Sequence, residues 1–156
     1  MLKRLRERAG SESGFTLIEL LVVMLILGIL AAIAIPAFLS QKDKANDTNA
    51  KAQARSLQTA METYSTEHNG TYAPTPNITV LQAIEPTITG GTIASTANTY
   101  TVTSQAAQGS GNVFSISRNA AGKTSRDCGV GTVTTNRGKG GCFSTPTVIN
   151  GLNNYW

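Results

Sequence analysis

Glu19 is the only ionisable side chain between Glu12 and Lys42. A carboxylate set in an apolar run can attract a cation, or it can hold a proton if burial is severe. Cys128 and Cys142 offer a second chemistry, and on an exported domain such a pair reads as one disulfide. On the chain-entropy model that bond would stabilise the domain by roughly 3 kcal/mol. The alternative is two unrelated thiols. His68 is the only histidine, at a predicted helix end. A cysteine-histidine nucleophile would need a free thiol beside it. After Gly70 the only carboxylates are Glu85 and Asp127, a poor set for calcium, which takes many oxygen ligands. These residues predict no enzyme, no cofactor and no metal.

The elements that must position Glu19 begin with a basic segment, MLKRLRERAGSESG, where Lys3, Arg4, Arg6 and Arg8 oppose Glu7 and Glu12. Next comes FTLIELLVVMLILGILAAIAI, Phe15–Ile35, apolar around the whole circumference of a helix. As a helix it spans roughly 32 Å, enough to cross a bilayer. Such a helix must be buried, in lipid or among other helices. The preceding cations place the N-terminus in the cytoplasm and the rest outside. Three readings compete. An ordinary secretory signal has an Ala-x-Ala candidate at Ala32–Ala34, but its apolar run is usually shorter. A plain permanent anchor leaves Glu19 unexplained, because an acid inside a span is costly and calls for a partner.

The third reading accounts for Glu19. Gly14-Phe15-Thr16-Leu17-Ile18-Glu19, followed by the apolar run and preceded by a basic leader, resembles the processing site of type IV pilins and pseudopilins. The resemblance covers the leader and the first helix. It implies that a membrane aspartyl peptidase cuts after Gly14 and then N-methylates Phe15. It also implies that the new α-amine, cationic near neutral pH, pairs with Glu19 of a neighbouring subunit and sets the register of a filament. Protonation of Glu19 on burial is the alternative. Gly28 and Pro36 are weak points in the helix. Pro36 is expected to kink it, and the resemblance implies that the stretch between them loses helical order on polymerisation.

Beyond Pro36, Ala50, Ala54, Leu57, Met61 and Tyr64 form one apolar stripe at helical spacing. Lys42, Lys44, Asp47, Lys51, Arg55 and Glu62 are assigned to the opposite side, with Asp47 and Lys51 an i,i+4 pair. Asn69-Gly70 stops the helix, and Pro74 and Pro76 follow. A short helix is predicted at Val80–Glu85. Strands are predicted at Thr99–Ser104, Val113–Arg118 and Lys123–Asp127, with weaker signals at Thr132–Thr135. Tyr155 and Trp156 are expected to dock on the head.

The fold class is therefore α+β. A long bent N-terminal helix, transmembrane in its first half, packs on a small antiparallel sheet head with one disulfide. The divisions are 1–14 leader, 15–36 hydrophobic assembly helix, 37–69 amphipathic helix, 70–98 connecting region, and 99–156 sheet with a disulfide-closed C-terminal region. The implied partners are pilin subunits, the prepilin peptidase and methyltransferase, an inner-membrane assembly platform, and the membrane before assembly. The precursor would sit in the cytoplasmic membrane and the product in an extracellular pilus. A secretion or competence pseudopilin is the alternative. Charged residues make up 14% and the formal charge is +4. Arg118, Lys123, Arg126, Arg137 and Lys139 could attract DNA along a filament, though solvated surface charge accounts for them more simply. Asn46, Asn69 and Asn77 start N-glycosylation patterns, read as chance.

Overall fold

The computed structural model describes residues 14–107, 110–130, 141–143, 147–149 and 152–156. Helix α1 comprises Leu17–Glu67 and helix α2 comprises Ile78–Ile84. Six strands follow: β1 (Thr92–Ser95), β2 (Tyr100–Gln105), β3 (Asn112–Arg118), β4 (Thr124–Val130), β5 (Thr147–Ile149) and β6 (Leu152–Asn154). By contacts the chain divides into two units, one ending at Phe38 and the other Leu39–Trp156.

In the first unit, every large apolar side chain from Phe15 to Phe38 is exposed, with Val22 the least so at 44%. Among the described residues, α1 alone is long and apolar enough to cross a membrane, its richest window reaching a mean hydropathy of 3.0. Gly28 and Pro36 both lie inside α1, which is assigned as helix without a break at either.

The second unit is built on the predicted stripe. Ala50, Ala54, Leu57, Met61 and Tyr64 are all buried. Ala54, Leu57 and Met61 enter a core with Leu81 of α2, Ile88, Tyr100 and Val102 of β2, and Ile116 of β3. The helix stops where expected. Asn69 and Gly70 take left-handed φ angles of 57° and 82°, and Gly70 N–H donates to the Ser65 carbonyl at 2.8 Å. Helix α2 starts two residues earlier than predicted. Asn77 caps it, Oδ1 accepting from Val80 N–H at 3.0 Å.

The sheet order is β1-β2-β3-β4-β6-β5. Strands β1 to β4 form an antiparallel meander, in register Val102↔Ile116 and Phe114↔Cys128. Alternation in β2 sends Tyr100, Val102 and Ser104 to the buried face. The sheet is wider than expected in three places. Strand β1 falls in the stretch read as a connecting region. Strands β5 and β6 form a C-terminal hairpin that joins β4 through one parallel pairing, Arg126↔Asn154. The signal at Thr132–Thr135 lies outside the described residues. Gly91 explains how β1 sits so close to the helix. It has φ 145°, and a Cβ there would meet Leu57 Cδ1 at 2.5 Å and Thr103 O at 2.8 Å, so only glycine fits.

Candidate functional site: the start of the apolar helix

Gly14, Phe15 and Thr16 precede the helix in non-helical backbone, and all three are exposed. Phe15 is 83% exposed. Thr16 caps α1: its carbonyl accepts from Leu20 N–H at 3.3 Å, and its Oγ1 accepts from Glu19 N–H at 3.3 Å. In return, Glu19 Oε2 accepts from Thr16 N–H and from Thr16 Oγ1–H, both at 2.8 Å. Thr16-Leu17-Ile18-Glu19 is thus a capping box, in which side chain and backbone satisfy each other's open hydrogen bonds at a helix start. The carboxylate also lies at the positive end of the helix dipole.

The capping box was present in the sequence as a Thr-x-x-Glu pattern before an apolar run. Glu19 therefore has a local partner within its own chain, in addition to any cation it meets between chains. Only Oε2 is used; Oε1 takes no hydrogen bond within the described chain. A cut between Gly14 and Phe15 would leave the box whole, since the Thr16 amide survives it. The new amine would stand one residue before the cap.

The other sequence candidates divide by location. Cys128 of β4 and Cys142 form the disulfide. Both are buried, beside Ala50, Ala106 and Phe114. Tyr155 and Trp156 lie against this cluster. Trp156 meets Phe114 edge to face at 5.7 Å, and its Nε1–H donates to the Asp127 carbonyl at 3.0 Å. His68 stacks on Tyr64 at 3.8 Å, a helix-end packing role. Of the cations offered to DNA, Arg118 pairs with Glu62 at 3.4 Å and Arg126 lies over the Trp156 ring. Arg137 and Lys139 lie outside the described residues.

Asp47 corrects the sequence reading. It was assigned to the polar side of α1, yet it is 1% exposed. It stands three residues before Ala50 and seven before Ala54, which places it on the stripe. Its burial is tolerated because donors converge on it. Oδ2 accepts from Asn112 Nδ2–H at 2.9 Å and from Gly141 N–H at 2.7 Å, while Oδ1 accepts from Ser110 Oγ–H. The expected ion pair with Lys51 is replaced: Lys51 Nζ donates to the Gly141 carbonyl at 2.7 Å. Burial and the nearby Arg55 lower the Lys51 pKa, and Asp47 opposes this. Gly141 is held on both its amide and carbonyl, and a Cβ there would meet Lys51 Nζ at 2.6 Å. The segment entering Cys142 is thus bolted to α1. Glu62, on the polar side as expected and partly exposed, accepts from Tyr72 OH at 2.7 Å and Tyr100 OH at 2.8 Å.

Similarity to known proteins bears on the family of the chain. The model of the prokaryotic N-terminal methylation motif matches residues 10–35, which take in Gly14 and the apolar run. The type IV narrow pilus major component PilA5 of Thermus thermophilus is 38% identical over 111 residues, covering 71% of this chain and 90% of that protein. The chain belongs to the type IV pilin and pseudopilin family. Shorter matches within the family include the type II secretion system core protein G of Pseudomonas aeruginosa, 47% identical over 53 residues, which are 34% of this chain and 37% of that protein. The type IV major pilin protein PilA of Myxococcus xanthus is 46% identical over 54 residues, 35% of this chain and 24% of that protein. The chain thus spans most of the Thermus pilin and well under half of the other two.

Proposed function

We propose that this chain is a structural subunit of an extracellular type IV pilus rather than an enzyme. It is made with a leader ending at Gly14, cut there by a prepilin peptidase, and N-methylated on Phe15. Before assembly Phe15–Ile35 lies in the cytoplasmic membrane, leader inside and head outside. An assembly platform in that membrane then extracts it into a helical polymer, in which the apolar helices bury one another.

The observation that carries a pilus over a secretion pseudopilus is the length of the Thermus match. At 111 residues it takes in 90% of that pilin at 38% identity, whereas the type II secretion system core protein G of Escherichia coli matches over 89 residues at 30% identity, 57% of that protein. The capping box supports Glu19 as an assembly residue. It fixes the carboxylate at the helix start while leaving one oxygen for the amine of a neighbouring Phe15. Gly28 and Pro36 are the positions at which the packed helix would loosen.

Mass spectrometry of sheared surface filaments tests this. The expected chain begins at N-methylated Phe15. A chain beginning at Ile35 refutes the processing, and correctly processed protein with no surface filament refutes the pilus in favour of a pseudopilus.

A further inference from the structure

Trp156 is the only tryptophan, and cations gather around its indole. Arg126 Cζ lies 5.6 Å from the ring centroid, Arg55 Cζ 5.7 Å and Lys51 Nζ 6.0 Å. Arg126 of β4 stands opposite Ile116 of the core, so it emerges on the helix-facing side of the sheet. An indole attracts a cation but cancels none of its charge. Neither Arg55 nor Arg126 meets a carboxylate within the described chain. The sequence has few to offer, since past Gly70 the acids are Glu85 and Asp127 alone. Alternation puts Asp127 on the other face of β4 from Arg126. Arg126 Nε is moreover buried with no hydrogen-bond partner, whereas buried donors are met almost everywhere in folded proteins.

A groove of about 560 Å³ opens beside these arginines, with Arg55, Gln58, Thr59 and Glu62 of α1 and Arg126 of β4 in its lining. The Gln58 amide and the Thr59 hydroxyl make no hydrogen bond within the described chain. Glu62 is the one acid in the lining, and its oxygens are already engaged by Tyr72, Tyr100 and Arg118.

We propose that this groove binds a doubly charged tetrahedral oxyanion, phosphate or sulfate. Their distances to the shared ring place the two guanidiniums at most about 11 Å apart. An oxyanion that takes one N–H···O bond from each spans roughly that distance. Two charges on the anion match two unpaired guanidiniums, and Gln58 and Thr59 add neutral donors. A carboxylate carries one charge and is satisfied by a single guanidinium fork, which leaves the second arginine unmatched.

The test is NMR of the full chain in a maltoside detergent, which bears no charge, titrated with sodium phosphate, sodium sulfate or sodium acetate at constant ionic strength. Phosphate, sulfate or both should shift the Nε–H signals of Arg55 and Arg126 and the Thr59 amide together and saturably, and a response to only one identifies the group. Arg55→Gln, at an exposed position that tolerates change, and Arg126→Gln should each weaken binding at least tenfold, the loss of one charge-assisted hydrogen bond. Lys44→Gln removes the same charge from an exposed position elsewhere on α1 and should leave binding as in wild type. The proposal is overturned if neither anion shifts these signals, if acetate shifts them as strongly, or if Arg55→Gln binds as wild type. It is equally overturned if Lys44→Gln weakens binding as much as Arg55→Gln. A duplex DNA fragment that shifts the signals more strongly than phosphate, at equal phosphate-group concentration, also overturns it and assigns the arginines to a phosphodiester polymer.

Discussion

Asp47 gives a prediction whose size follows from its hydrogen bonds. Asp47→Ala removes the acceptor for the Asn112 side-chain amide and the Gly141 N–H, neither of which can accept in its place. Each buried donor left unpaired costs about 1–3 kcal/mol. Part of that is recovered if water enters the space vacated, so a net loss of roughly 2–4 kcal/mol is expected. Asp47→Asn behaves differently. Its amide oxygen can occupy the Oδ2 position and accept both bonds, while its NH2 faces Ser110, whose hydroxyl can turn to accept. What is lost is mainly charge assistance, about 1 kcal/mol. Denaturant unfolding of the full chain in detergent reads the two losses. Hydrogen exchange at the Gly141 amide reads the mechanism, with protection lost in Asp47→Ala and kept in Asp47→Asn. Equal losses in the two variants would refute the hydrogen-bond account and leave charge as the cause. An Asp47→Ala variant as stable as wild type would refute the bolt altogether.

Glu19→Gln keeps an oxygen for the capping box but loses the charge, whereas Glu19→Ala loses both. Filament counts should fall in both variants, while amide exchange at the start of α1 rises only in Glu19→Ala; normal filaments from Glu19→Gln would remove the ion pair from the mechanism. Replacing both Cys128 and Cys142 with serine should lower stability by about 3 kcal/mol, and reductant should then have no further effect; a denaturation midpoint unchanged from wild type would rule this out. Burial, then hydrogen bonding to Glu62 and its charge, raise the pKa of both Tyr72 and Tyr100 above the ordinary value. Stability from keeping these phenols protonated is complete below about pH 10, the unfolded value, and is lost as pH climbs from there toward the folded values. Phenolate absorbance should show late-titrating tyrosines that Glu62→Gln brings down; a single ordinary step would contradict the cluster.

The parts of the fold that depend on local periodicity were legible. The apolar run, the stripe from Ala50 to Tyr64 and the alternation in β2 and β3 each declare themselves within a few turns or residues. Asp47 was misplaced because charge type suggests solvent, and the donors that offset its burial come from far along the chain. Asn112 is 65 residues from Asp47 and Gly141 is 94. Strand β1 has four residues in a threonine- and glycine-rich stretch, too short to show a period. Strand β6 is set by pairing beside Arg126, where Arg126 N–H donates to Asn154 Oδ1 at 3.1 Å, a contact no local pattern contains. At the N-terminus the reverse happened. Thr16-x-x-Glu19 was visible as a cap, but the oddity of a carboxylate in a membrane span drew the reading toward a partner in another chain.

That cap also works as a fence. A peptidase needs its substrate backbone extended, and a helix that spread backwards would hide the bond after Gly14 inside a turn. With Thr16 held in cap geometry by Glu19, helix growth toward the leader is arrested one residue short of Phe15. On the proposed processing, the carboxylate that would later orient a subunit among its neighbours would serve the precursor first, by keeping the bond after Gly14 outside the helix and within reach.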